Sequence, residues 1–297
     1  MTDTASIGPT AGGRSEAWRA WRRLLANPFG LISVIGLGIL VLAALFAPIL
    51  APYDPTAINL RAILQPPSAA HWLGTDEIGR DMLSRLIYAT RVAVLVVVIS
   101  IGVSIVIGTL IGMISGYVGG WVDSVIMRIT DGLLAFPTLI LALGIVAALG
   151  PSLWNALIAI AIINVPNFAR LARGEAMVLR KAEFVQASRA IGMPTWQILL
   201  GPIRRHLTAT VLVYATLKAS VAIITEASLS FLGLGAQPPT PTWGGMIATG
   251  LAQMNRAWWL AFIPGMALFI TVLLLNFCGD ALRDALDTKL SDREQAS

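Results

Sequence analysis

Leu31 to Leu50 is a run of 20 residues without a single charge, and it is the first of several such runs along the chain. A helix needs roughly 20 apolar residues to cross about 30 Å of hydrocarbon. Inside a bilayer, every backbone N–H and C=O must also find its partner within the protein. Repeated runs of this length therefore point to a bundle of membrane-spanning helices. Composition agrees: 56% of the 297 residues are hydrophobic and 12% are charged, against about 25% charged in an ordinary soluble domain. The expected fold class is an all-α integral membrane protein.

Six spans are expected, at about 31–50, 92–118, 122–149, 153–171, 208–234 and 258–278. Residues 1–28 form a tail, whose first 17 residues are polar and lack the apolar core of a signal peptide, so they read as disordered. Residues 29–91 hold the first span and the largest external loop, in which QPPS and HWLGTDEIGRD suggest turns and a short surface helix. The core, 92–282, contains a cytoplasmic loop at 183–206, and 283–297 is a second tail. Pro137 is expected to kink the third span. Asn155, Asn164 and Asn167 in the fourth would be costly facing lipid and are expected to face protein or a pore. Trp243, Trp258 and Trp259 suit an interfacial aromatic belt.

Charge gives the orientation. The N-terminal tail, the 170–206 stretch and the C-terminal tail hold fourteen Lys and Arg, and the loops 51–91 and 235–257 hold five. Basic residues collect on the cytoplasmic side, so both termini of a multi-pass chain are expected there. This distribution also accounts for the net charge of +5 without a nucleic-acid partner. Cys278 is the single cysteine, so no intrachain disulfide forms, and with only His71 and His206 no Cys/His metal centre is expected.

No catalytic constellation is visible. The phosphate-binding pattern G-x-x-x-x-G-K-[ST] is absent, as are G-x-S-x-G and H-E-x-x-H. A transporter of this kind draws its energy from a separate ATPase or from an ion gradient. For a gradient, Lys218 and Glu226 lie eight residues apart on one broad helix face. The alternative is that Lys218 snorkels and Glu226 reaches water or a neighbouring helix. Asp131 has Arg128 one turn before it, at the spacing of an intrahelical pair. Gly108, Gly112, Gly116 and Gly120 recur every four residues, either as a face for close helix packing or as tolerated glycines.

The stretch EFVQASRAIGMPTWQILLGPIRRHL begins with a helical segment carrying apolar Phe184, Ala187 and Ile191 at i, i+3 and i+7. Gly192 and Pro194 stop it, and Trp196 to Leu200 begin a second segment. Two short helices with a glycine turn form a knob, suited either to a groove on another protein or to the membrane surface.

The spacing of Gln186, Ala187, Ser188 and Gly192 resembles the EAA-x-x-x-G loop of binding-protein-dependent ABC importer permeases. LFAPILAPYDP, LGTDEIGRDMLSRL, MRITDGLLAFP, EASLSFLGLGAQPPTPTWGGM and GDALRDALD extend the resemblance over nearly the whole chain, toward the C-type permease of dipeptide and oligopeptide importers. The resemblance implies the type I permease fold in a bacterial cytoplasmic membrane, peptide cargo with nickel, glutathione or another small solute as the alternative, and an ATPase-coupling role for Glu183, Gln186, Ala187, Ser188 and Gly192. It implies as partners a homologous second permease, two ABC ATPase subunits that use ATP and Mg, and an extracytoplasmic solute-binding protein, with no cofactor on this chain. Asp131, Lys218 and Glu226 become candidates for a substrate path or gate. The pattern is not complete: Gln186 stands where the loop's glutamate is usual, Ser188 replaces an alanine, and Arg204 and Arg205 replace Leu-Pro.

Overall fold

The structure, a computed structural model, describes residues 12–286, with side chains described from residue 18 on. Among the described residues it is almost wholly helical, its only bridge being an isolated one between Thr75 and Asp81. α1 (Gly12–Ala26) leads into α2 (Pro28–Leu45), which Asn27 caps by accepting from the Phe29 N–H, with Pro28 at the first helical position. α3 (Ala47–Leu50) is one further turn. α4 (Met82–Leu95) passes through a π-helical segment, Val96–Ile101, into α5 (Gly102–Val118), giving a continuous helix of 37 residues. α6 (Gly120–Leu134), α7 (Thr138–Leu149), α8 (Leu153–Leu179), α9 (Glu183–Ala190) and α10 (Thr195–Ile198) follow. A second π-helical segment, Leu199–Ile203, contains Pro202, whose missing N–H loosens the ladder, and runs into α11 (Arg204–Phe231). α12 (Trp243–Leu251) and α13 (Trp259–Leu286) complete the bundle.

Among the described residues, five helices are long and apolar enough to cross a bilayer, and the bent pair α6 and α7 makes six when counted as one broken span. That span departs from the expected kink. Its halves meet at 91°, because Pro137 lacks a donor and drives the residue before it away from helical backbone. Two other spans extend past their expected ends: α8 continues to Leu179 and α13 to Leu286. Much of the 170–206 loop and the start of the 283–297 tail is therefore helix, while residues 287–297 lie outside the described residues. At the other end, residues 12–26 are helical where a tail was expected. Leu24 of α1 is buried against Ala281 and Ala285 of α13, and residues 1–11 lie outside the described residues.

The 51–81 loop holds no surface helix and is a compact cap of turns closed by ion pairs. Buried Asp76 accepts from the Ile78 and Arg80 N–H groups at 3.1 and 2.8 Å and from Arg80 Nε at 2.6 Å, with Arg85 Nε 3.4 Å away. Asp81 caps α4 through the Ser84 N–H at 2.8 Å and bonds His71 Nδ1 at 2.9 Å. Buried carboxylates are tolerated when their lone pairs are filled in this way. Trp259 donates from Nε1 to the Thr75 carbonyl at 3.4 Å and joins the cap to α13. Trp259 and Trp243 are therefore buried rather than placed in an aromatic belt, and of the three tryptophans only Trp258 is exposed.

The tightest packing is that of α5, with the preceding π-helical segment, against α8. The two run parallel in a strict register. The Ser100 and Ser104 hydroxyls donate to the carbonyls of Leu157 and Ala161, both at 2.9 Å. A Cβ placed on Gly108, Gly112 or Gly116 would run into the carbonyls of Val165, Ala169 and Arg173 in turn. Each step advances four residues on both helices, so a row of small residues lies along one carbonyl row. Gly120 falls outside it: with φ +61° it starts α6 beside Gly119 at +72°, and a Cβ there would meet nothing within 4 Å. These two left-handed glycines reverse the chain where the row ends.

Candidate functional site

The knob is built around one inward side chain. Val185 of α9 is fully buried, with Ile198 of α10 and Ile203 beyond it. Phe184 stacks on the His206 ring at 4.5 Å with 9° between planes. The expected apolar face of Phe184, Ala187 and Ile191 is thus divided. Phe184 packs inward beside Val185, while Ala187 and Ile191 point outward. An eight-residue helix anchored at Val185 leaves those positions on its far side. Gly192, at φ +78° with open space around it, makes the turn that Gly alone adopts freely. Ile191 is 78% exposed and Trp196 62% exposed, so the tip of the knob presents two large apolar side chains.

Of the other coupling candidates, Glu183, Gln186 and Ala187 are exposed. Gln186 donates to the Arg180 carbonyl at 3.2 Å and Ser188 to the Phe184 carbonyl at 2.7 Å. Both bonds use neutral groups and stay within the knob, so Gln186 has a local role that does not call for an anion.

The knob is tied to the helices behind it through contacts that span large sequence separations. Arg189 Nε donates to the Tyr117 hydroxyl at 2.9 Å, and its guanidinium carbon lies 4.7 Å from that ring's centre. Arg180 donates to the Tyr117 carbonyl at 3.3 Å. One turn into α6, Asp123 accepts from Arg173 Nε and Nη2 at 2.5 and 2.7 Å, the bidentate geometry of a strong pair. It also accepts from the Ser115 hydroxyl at 2.5 Å. Tyr117 and the Asp123–Arg173 pair join α5, α6, α8 and the knob into one connected end of the molecule. No spacing rule brings such partners together, and the sequence gives no signal for them.

The three mid-span candidates have different direct partners. Asp131 is paired with Arg170 Nη2 of α8 at 2.6 Å, not with Arg128 as expected. Lys218 Nζ donates to Asn167 Oδ1 at 2.9 Å and lies 5.3 Å from the Tyr214 ring centre. Glu226 is buried elsewhere on α11 and accepts from Ser230 Oγ at 2.6 Å, with α12 held close by the contact of Gly244 on Ala227. Lys218 and Glu226 make no contact with each other, which removes the geometric basis of a shared ion site. Among the described residues, no three His, Cys, Asp or Glu side chains are grouped to hold a metal ion.

Residues 108–292 match the model of the binding-protein-dependent transport system inner membrane component. The chain belongs to this family. Residues 15–67 match the N-terminal transmembrane domain of oligopeptide transport permease C, so the family assignment takes in the first span and part of the cap. The chain is 39% identical over 98% of both chains to the probable D,D-dipeptide transport system permease protein of Escherichia coli K12. It is 43% identical to the dipeptide transport system permease protein of Alkalihalophilus pseudofirmus, covering 92% of this chain and 90% of that one. A glutathione transport system permease protein of Pectobacterium atrosepticum is 41% identical, covering 92% and 91%. As a member of the family the chain is a multi-pass permease subunit of an importer in the inner membrane.

Proposed function

We propose that this permease pairs with a second, homologous permease chain and that the two enclose a path for dipeptides and oligopeptides. The observation that carries the coupling role is the knob, a rigid two-helix element with Ile191 and Trp196 exposed at its tip and Arg189 tied back to Tyr117. Such a tip fits a groove on a soluble partner. Two ATPase subunits dock on residues 183–200 and bind ATP and Mg, while an extracytoplasmic solute-binding protein delivers cargo to the cap end. The knob and both termini then face the cytoplasm. Differential contacts of the ATPases with the knob switch the bundle between inward- and outward-facing states. Covalent chemistry is left to the ATPase chains.

Peptide cargo is supported by the relatives named for dipeptides. Glutathione, itself a tripeptide, is the second cargo class, on the relatives named for it. The test is purification of the tagged chain from native membranes, with identification of its companions and an ATPase assay. A second permease and two P-loop ATPases with vanadate-sensitive hydrolysis are the expected result, and a lone chain or a homo-oligomer without ATPase would sink the reading. Within the complex, Gly192→Val forces a β-branched residue into φ +78° and should uncouple hydrolysis from uptake while leaving insertion intact.

A further inference from the structure

Polar side chains of α6, α8 and α11 converge on a face that the other described residues leave open. Asp131 and Arg170 form an ion pair whose side chains are 61% and 56% exposed. Three residues before Arg170, on the same face of α8, Asn167 holds Lys218 of α11. Lys218 is half-buried and, among the described residues, donates to this amide oxygen alone, while an ammonium carries three N–H donors. Tyr214, one turn before it, lies under the ammonium and also lines a cleft of about 370 Å³ between α8, α11 and α13. Lys218 is about 20 Å from either end of α11 by the 1.5 Å rise, in the middle of a helix long and apolar enough to cross a bilayer. Charges at such depth are placed against protein or water, not lipid.

We propose that Lys218, Arg170 and Asp131, with Asn167 and Tyr214, form a waypoint in the translocation path for the charged ends of a zwitterionic peptide. This rests on the peptide-permease reading. The cluster carries both signs, as the ligand does: Lys218 and Arg170 receive the carboxylate, and Asp131 receives the ammonium. The Arg170–Asp131 pair is exposed and therefore weak, so it opens readily to let a ligand in and closes behind it. A transport site needs that balance, favourable enough to enter and weak enough to leave. Glu226, buried apart from the cluster, takes no part.

The test uses the complete importer in proteoliposomes, with binding protein saturated by dialanine or by its C-terminal amide. Lys218→Met should lower dialanine uptake at least tenfold, keep ATP hydrolysis stimulated by loaded binding protein within twofold, and change uptake of the amide by less than threefold. Lys218→Arg should recover at least half of the lost dialanine rate. Asp131→Asn, an exposed substitution, should lower uptake of both ligands, since both carry the ammonium, and it decides the matter if Lys218→Met fails to assemble. Unchanged dialanine uptake in Lys218→Met, or in Asp131→Asn, would overturn the site, as would equal losses for acid and amide in Lys218→Met. If the unsubstituted importer takes up neither ligand, the peptide reading and this site fall together, and that is seen before any substitution is made.

Discussion

α8 meets its neighbours in two opposite ways. Toward α5 it presents bare carbonyls to glycines and serines, with no room for a methyl group at Gly108, Gly112 or Gly116. Toward α6 and α11 it presents Arg173, Arg170 and Asn167, whose partners are reached through long side chains. A backbone-on-backbone contact has a single register, because sliding by one residue drives side chains into carbonyls. An arginine reaching a carboxylate adjusts its rotamers over several ångströms of movement and keeps the pair. The difference separates two kinds of contact: the α5–α8 face admits one register, and the contacts of α8 with α6 and α11 tolerate small shifts without losing their pairs.

Four substitutions would break or sharpen this division. Gly112→Leu should have the largest effect, since even its Cβ collides with Ala169. Overpacking of this kind costs about 1–3 kcal/mol or more, so recovery of assembled complex should drop about tenfold. Normal assembly and transport would mean that α5 and α8 are not held as described. Arg173→Met should come next, with a loss of about 1–2 kcal/mol in the thermal stability of the complex, because the pair is only partly exposed. The exchange of Asp123→Arg with Arg173→Asp should restore part of it, and no positive coupling in that double-mutant cycle would deny the pair a structural role.

Ser104→Ala removes one interhelical hydrogen bond and should cost about 0.6 kcal/mol. A loss several times larger would mean that the serines, rather than the glycines, set the register. Asp131→Asn should leave assembly and melting temperature unchanged, since exposed pairs are worth about 0–1 kcal/mol. Measurable unfolding in that variant would show that this exposed pair holds α6 to α8 as firmly as the Asp123–Arg173 pair does.

How much of this is written in the sequence depends on the range of the interaction. The spans are legible because apolar length and basic flanks are local properties. The glycine row is legible from its spacing of four, but only in part. Ser100 and Ser104 continue it with hydroxyls that look like polar interruptions, and Gly120 keeps the spacing after the helix has ended. The Asp123–Arg173 and Asp131–Arg170 pairs join residues 50 and 39 apart. Arg128 was the natural partner for Asp131 by spacing, and only the right-angle break at Pro137 and the closeness of α8 give Arg170 that place. In the knob, helical periodicity marks an amphipathic segment, but the apolar residues on it have two different uses, and the burial of Val185 decides which is which.

The exposed tip of the knob also bears on the life of the chain before assembly. Under the docking role proposed above, Ile191 and Trp196 stay exposed until a partner covers them, at the end of a loop built on two short helices. Apolar surface of this kind is what chaperones and membrane-bound proteases recognise in incomplete proteins. An orphan subunit should therefore be short-lived, with a pulse-chase half-life that lengthens when the ATPases are co-produced or when Ile191 and Trp196 are replaced by serine. The same two side chains would then serve for coupling in the finished importer and as a degradation signal that holds the subunits to matching copy number.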